Sequence, residues 1–347
     1  MTRSWLRANL FGSAGSGVTS LVLLGLLGWL SVIVLRWAAL DAVWEANSLQ
    51  QCRALDNGAC WAFVGTKARL ILFGRYPVAQ EWRAVLATVL LLGMCLASAH
   101  PRCWTRWLGI AWAIAITVSL GLMGGGIFGL APVESDRWGG LPVTLILTIF
   151  GFLAAFPLAV ILALGRRSPW PVPRLLATAV IEVIRAVPLV TILFGAALVL
   201  PLCLPAGVTI DKLARILAGF VLFLAAYLAE DIRAGLQALP AGQSEAADAL
   251  GLSRFTKLRA VILPQALIAV IPAMIGNGIG HFKNTSLVYV VGLFDLTLSL
   301  QNALLDPVWR GAGIEGYVFL GALYLIGCFA LSRWGAFLER YWRRAGG

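Results

Sequence analysis

The stretch EAADALGLSRFTKLRAVILPQA, residues Glu245 to Ala266, is a charged, helix-forming insert between apolar runs of a chain that is 60% hydrophobic. Its first half predicts a short helix with Ser244 as the cap, Ala246, Ala249 and Leu250 on one face, and Glu245 and Asp248 on another. Gly251 ends that helix, because glycine accepts the left-handed backbone of a helix C-terminus and lets the chain turn sharply. A second helix is predicted from Ser253, with Phe255, Leu258 and Ile262 on one side, Arg254 and Lys257 on another, and Pro264 as its stop. The pattern is a compact helix-turn-helix. Three uses compete for it: an amphipathic segment lying on lipid headgroups, which the short acidic first helix fits poorly; a DNA reader, which Glu245 and Asp248 oppose at phosphate; and a peg inserted into the groove of a cytoplasmic partner.

On either side of the insert the chain is built for lipid. Mean hydropathy is +0.87 and only 12% of the residues are charged. Apolar runs near the length that crosses a hydrocarbon core predict eight spans: Val18 to Leu35, Ala84 to Ala99, Trp107 to Gly124, Leu141 to Leu164, Leu175 to Leu200, Ile216 to Ala229, Leu267 to Val291 and Tyr317 to Leu331. Helices are expected over open sheets, since every backbone polar group must be satisfied internally in lipid. The first span has Arg3 and Arg7 ahead of it, as a secretory signal does, but its apolar run is long and Arg36 and Trp37 stand where small cleavage residues are needed. It reads as a retained anchor.

Basic residues fall on alternate sides of these spans. Arg102 and Arg106, then Arg166, Arg167 and Arg174, then Arg233, Arg254, Lys257 and Arg259, and finally Arg340, Arg343 and Arg344 occupy the segments that are inside if the N-terminus is inside. The opposite segments hold Glu134, Asp136, Asp295, Asp306 and Glu315. Both termini are therefore expected in the cytoplasm. The same distribution explains the net charge of +11 without a nucleic-acid partner, because the positive residues are scattered over short juxtamembrane loops.

Reactive chemistry is sparse. No G-x-x-x-x-G-K-[ST] loop is present to cradle phosphates, so ATP hydrolysis by this chain alone is not expected. His100 and His281 are the only histidines and have no metal-ligand spacing, and there is no G-x-S-x-G nucleophile turn. Cys52 and Cys60 share the longest predicted outer loop, Asp41 to Arg83, where an oxidising compartment lets them pair; two free thiols are the alternative. Glu182 is the only carboxylate well inside a predicted span, and Arg185 follows at the spacing of a helical ion pair, read first as structural. Asn277, His281, Lys283, Asn284, Thr285 and Ser286 form a polar cluster in an apolar span, fit either to line a watery path or to hydrogen-bond between helices. Gly276 and Gly280 have the spacing of a close helix contact.

The E-A-A triplet, Gly251 and Ile262-Leu263-Pro264-Gln265 resemble the cytoplasmic coupling loop of permeases in binding-protein-dependent ATP-binding-cassette importers. Three further blocks, IEVIRAVPLVTILF (Ile181 to Phe194), AAYLAEDIRAGLQALPAGQ (Ala225 to Gln243) and KNTSLVYVVGLFDLT (Lys283 to Thr297), are similar to segments of the polar amino-acid permeases. Blocks in this order are far more specific than the triplet alone, and the likeness covers about residues 139–340. The extra spans and outer loop ahead of it resemble the general L-amino-acid branch.

The resemblance implies an all-α integral membrane protein of about eight transmembrane helices. Residues 139–347 would be a type I permease core of five helices, and residues 1–138 an extension with three helices and a periplasmic loop at about 38–83. It implies a coupling loop at 240–266, with Glu245, Ala246, Ala247, Gly251, Leu263 and Pro264 as its ATPase-coupling residues. It further implies no cofactor on this chain, ATP and Mg on two ATP-binding subunits, a second and different permease chain, a periplasmic amino-acid-binding protein, and residence in a bacterial inner membrane. Candidate residues of the substrate path are Glu182, Arg185, Asn277, Lys283, Asn284, Thr285 and Ser286. The rival class is a stand-alone ion-coupled carrier or channel, which would need carboxylates at membrane depth.

Overall fold

A computed structural model of the chain describes residues 9–55, 58–127 and 129–345, with side chains through Trp342. Arg3 and Arg7, and the side chains of Arg343 and Arg344, lie outside the described residues. Among the described residues the regular structure is helical, apart from a single bridge between Val43 and Cys60. In chain order the helices are α1 (Ala14–Leu35), α2 (Leu49–Leu55), α3 (Trp61–Phe73), α4 (Glu81–Ser98), α5 (Leu108–Gly124), α6 (Gly140–Arg166), α7 (Pro171–Ala186), α8 (Leu189–Cys203), α9 (Lys212–Ala238), α10 (Ala241–Ala249), α11 (Arg254–Lys257), α12 (Leu263–Asn284), α13 (Leu296–Leu304) and α14 (Gly313–Ala345).

Among the described residues, six helical stretches are long and apolar enough to cross a membrane: Ala14–Leu40, Val78–Ser98, Gly140–Arg166, Lys212–Ala238, Arg254–Val291 and Gly313–Trp342. Helix α5 is apolar but has 17 residues. The predicted span Leu175 to Leu200 is broken, since α7 and α8 meet at 105°. The cause is Pro188, which forces Val187 into an extended backbone (φ −97°, ψ 132°) and cannot donate to the helix ladder. The predicted span Ile216 to Ala229 is too short. Asp211 caps α9, accepting a hydrogen bond from the Ala214 N–H at 3.0 Å, and the helix runs on through Glu230, Asp231 and Arg233 to Ala238.

The chain forms two compact units, Met1–Ala68 with Leu304–Phe319, and Arg69–Ala303 with Leu320–Gly347. In the first, Cys52 and Cys60 are joined by a disulfide with Cα atoms 5.8 Å apart. The carboxylate of Glu315 is fully buried and accepts from the Cys60 N–H at 3.1 Å and from Arg53 Nη2 at 3.4 Å. Lys67 pairs with Asp306, and the Trp61 indole donates to the Ala38 carbonyl at 2.7 Å. In the second unit α6 and α9 pack along their length. Ala155, Ala159 and Ala163 of α6 and Ala225 and Ala229 of α9 share one buried cluster, and small residues of this kind let helix backbones approach closely in lipid. Where α9 meets α12, a Cβ on Gly235 would stand 2.5 Å from the Ala266 carbonyl oxygen, so that crossing admits no larger residue. The expected close contact at Gly276 and Gly280 is absent. Among the described residues, nothing lies within 4 Å of a Cβ built at either position.

Candidate functional site

The segment from Glu245 to Ala266 folds as two short helices joined at Gly251, whose φ of +69° is the left-handed conformation that disfavours any residue with a Cβ. Its details correct the sequence reading. Helix α10 starts after Pro240, so Ser244 lies inside the helix instead of capping it, and its hydroxyl accepts from Lys257 Nζ at 3.1 Å. The Lys257 ammonium also binds both oxygens of Asp248, at 2.7 and 2.8 Å, and so pins α11 to α10. Ala247, not the expected face of Ala246, Ala249 and Leu250, is the buried residue of α10. Glu245 and Ala246 are exposed, Leu250 is 78% exposed and Phe255 69%.

Pro264 does not stop the second helix. A π-helical turn, Leu258–Ile262, joins α11 to α12, and Pro264 falls in the first turn of α12 after Leu263. There the proline's missing N–H needs no partner, because the wider turn has already shifted the hydrogen-bond ladder. The elbow is consequently continuous with a helical stretch from Arg254 to Val291 that is 38 residues long.

Above the elbow, charged side chains from three helices converge. Glu230 of α9 binds Arg166 of α6 at 2.7 Å, Arg233 of its own helix at 3.0 Å and Arg185 of α7 at 3.6 Å. Glu182 pairs with Arg166 at 2.7 Å, and not with Arg185 as its i+3 spacing predicts. Arg185 instead reaches across to α9, where its guanidinium lies 5.3 Å from the centre of the Tyr227 ring. Three guanidinium groups thus face two carboxylates. Contrary to the expectation from the sequence, Glu182 is not the only carboxylate inside a span, because α9 runs past the predicted boundary and holds Glu230 and Asp231 as well.

The polar cluster on α12 does not converge on one point. Asn277 donates to Asp231 Oδ2 at 2.6 Å. His281 is buried and contacts the Leu147 carbonyl of α6 through Nε2 at 3.1 Å. Thr285 and Ser286 turn their hydroxyls onto carbonyls of their own helix, those of Phe282 at 2.7 Å and Lys283 at 2.8 Å. Lys283 is exposed, and Asn284 is half-buried. Of the candidate path residues, Asn277, Glu182 and Arg185 therefore join the charged region around α9, while Lys283, Asn284, Thr285 and Ser286 do not. Sequence reasoning passed over Glu230, Asp231, Arg166 and Arg233 as a set. The signal for them was an acidic pair three and two residues before an arginine, inside the block AAYLAEDIRAG.

In the block Lys283 to Thr297, the carboxylate of Asp295 is fully buried and accepts from the Leu298 N–H at 2.9 Å, capping α13. Burial without a neighbouring cation pushes its carboxyl up to about 6.

The comparisons with known proteins agree with this architecture. Residues 155–344 match the family model described as a binding-protein-dependent transport system inner membrane component. The chain is 43% identical over 343 residues to the inner membrane amino-acid ABC transporter permease protein YhdY of Escherichia coli K12, covering 97% of this chain and 92% of that protein. It is 35% identical to the glutamate/glutamine/aspartate/asparagine transport system permease protein BztC of Rhodobacter capsulatus, over 98% of this chain and 93% of that one. Its fold is similar to a solved amino acid ABC transporter with histidines, at a TM-score of 0.52 and 27% identity, covering 68% of this chain and 99% of the other. The chain belongs to the family of binding-protein-dependent transport system inner membrane components, and within it stands with the amino-acid ABC transporter permeases.

Proposed function

We propose that this chain forms the membrane path of an ATP-driven amino-acid importer and receives force from a separate ATPase through the elbow at Gly251. The observation that carries this reading is mechanical. A locked pair of short helices presents Leu250 and Phe255 to solvent and runs without interruption into a membrane-crossing helix. A push on the elbow would therefore move α12 as a lever. Glu245 and Ala246 would stand on the docking side of that elbow, with buried Ala247 packing the elbow behind them and Leu263 and Pro264 at the root of the lever.

The working assembly would hold two ATP-binding subunits, which carry ATP and Mg, a second and different permease chain, and a periplasmic amino-acid-binding protein. This chain would bind neither nucleotide nor nucleic acid, and both its termini would lie in the cytoplasm. A zwitterionic amino acid needs an acceptor for its ammonium and a donor for its carboxylate. Asp231 with Asn277, and Arg185 beside Tyr227, offer both on neighbouring helices. The ion-coupled alternative is disfavoured by the same region, because the carboxylates at this depth are held by arginines or by Asn277.

Reconstitution with the companion ATPase, second permease and binding protein tests the reading. ATP-dependent amino-acid uptake that is lost in Gly251→Asp and in Glu245→Lys, with assembly intact, supports it. Gradient-driven uptake by this chain alone, or full uptake by both variants, overturns it.

A further inference from the structure

A cavity of about 730 Å³ opens beside the elbow, bounded by the turn between α6 and α7, the end of α9, α10 and α11. Its volume is in the range of small-molecule sites, ~300–1,000 Å³. The walls are mainly apolar, with Leu236, Leu239, Leu258 and Ile262 among them, and Arg167 and Arg254 stand at it as cations. Lys257 also lines it, but its ammonium is already held by Asp248 and Ser244. Neither arginine is ion-paired in the described chain, and both are exposed. Two guanidinium groups without counter-ions, set against apolar walls, match a phosphodiester attached to something greasy. Guanidinium groups bind phosphate oxygens in bidentate fashion.

The depth of the cavity agrees with that chemistry. Trp170, three residues beyond Arg167, is 71% exposed, and directly after it α7 presents Val172, Leu175 and Leu176 at 65%, 70% and 61% exposure. An indole heading an outward apolar face marks the level of lipid headgroups. Basic pockets between helices on the cytoplasmic side are suited to anionic headgroups. The apolar side chains that the elbow offers to a protein partner, Leu250 and Phe255, do not line this cavity. We propose that the cavity bounded by Arg167 and Arg254 binds the headgroup of an anionic phospholipid of the inner leaflet and braces the elbow against the turn between α6 and α7. The site belongs to this chain by itself; it rests on the cytoplasmic placement of the elbow given above and not on the coupling to an ATPase.

Native mass spectrometry of the delipidated full chain tests it, with phosphatidylglycerol, phosphatidylcholine and inorganic phosphate as probes. One phosphatidylglycerol should be retained, with binding roughly 30-fold weaker in R167Q/R254Q. It should be unchanged in R259Q, which alters an exposed arginine of the same segment outside the cavity. If the double variant fails to fold, R254Q alone should weaken binding roughly fivefold. Equal binding of phosphatidylcholine, equal binding by the arginine variants, or displacement of the lipid by millimolar inorganic phosphate overturns the proposal. Displacement by the companion ATPase subunit overturns it too, by making the cavity a protein interface.

Discussion

The elbow and the arginine–carboxylate cluster are near neighbours in sequence and equally rich in charge, yet they are held in opposite ways. In the cluster, the Glu230 side chain is 16% exposed and joins arginines from α6, α7 and α9. In the elbow, Lys257 meets an Asp248 side chain that is 59% exposed, and one residue of α10 is buried. Charge count alone does not separate a structural site from a docking site. Burial and the number of helices tied to one group do. The cluster is part of what keeps the helices together, whereas the elbow is stiffened locally and leaves its apolar side chains outside.

The first way to break this contrast is Glu230→Ala. It leaves three guanidinium groups without their shared partner, and the expected loss of stability is about 2–4 kcal/mol, above the surface-pair range because one carboxylate serves three arginines and short of a fully buried pair because its side chain is 16% exposed. Denaturant unfolding of the purified chain measures it, and a loss below ~1 kcal/mol would place the cluster with the surface pairs.

A second test contrasts Glu230 with Asp295, which is buried without an arginine. The folded state holds the Asp295 proton up to a pKa of about 6, above the ordinary carboxyl value of 3.8. Its contribution to stability is therefore fullest below about pH 4 and is lost as pH rises through about 6, by on the order of 3 kcal/mol. Asp295→Asn, which mimics the protonated acid at the cap, should abolish that decline in unfolding experiments run between pH 4 and pH 8. A decline that persists in the variant would assign it to other groups.

The disulfide region sharpens the contrast from the side of stability. Replacing Cys52 and Cys60, eight residues apart, by serine should lower stability by roughly 2–3 kcal/mol through the freed loop. Thiol labelling of the wild type should require reductant at these positions, and labelling without it would remove the bond. The smallest effect is expected at the elbow itself. Asp248→Asn should change stability by no more than ~1 kcal/mol, since its partner is reached at the surface. A larger loss would make the elbow a folding element.

Much of this architecture is readable from residue order. Apolar runs place most of the crossing helices, and the glycine between two short amphipathic patterns locates the turn at Gly251. Where reading failed, the competing cause was tertiary or geometric. Pro264 has the pattern of a stop, yet a π turn lets the helix pass through it. Pro188 stands in a run apolar enough to be one span, and the bend shows only in the backbone. Glu182 and Arg185 have the spacing of a pair, but an arginine long enough to reach another helix finds a better-buried partner in Glu230. Asn277 was visible as a polar group in an apolar span. Its partner Asp231 was not, because the charged end of α9 breaks the hydropathy signal before the helix itself ends.

The most direct measurement is the accessibility of a cysteine placed at the tip of the elbow, Leu250→Cys, to a membrane-impermeant thiol reagent in inside-out vesicles. The residue should label rapidly when this chain is present without its companion ATPase and become protected when the ATPase is added, with protection changing between nucleotide-free and ATP-bound states. Protection that is already complete in the absence of the ATPase, or that is insensitive to its addition, would show that the elbow rests on lipid and transmits nothing.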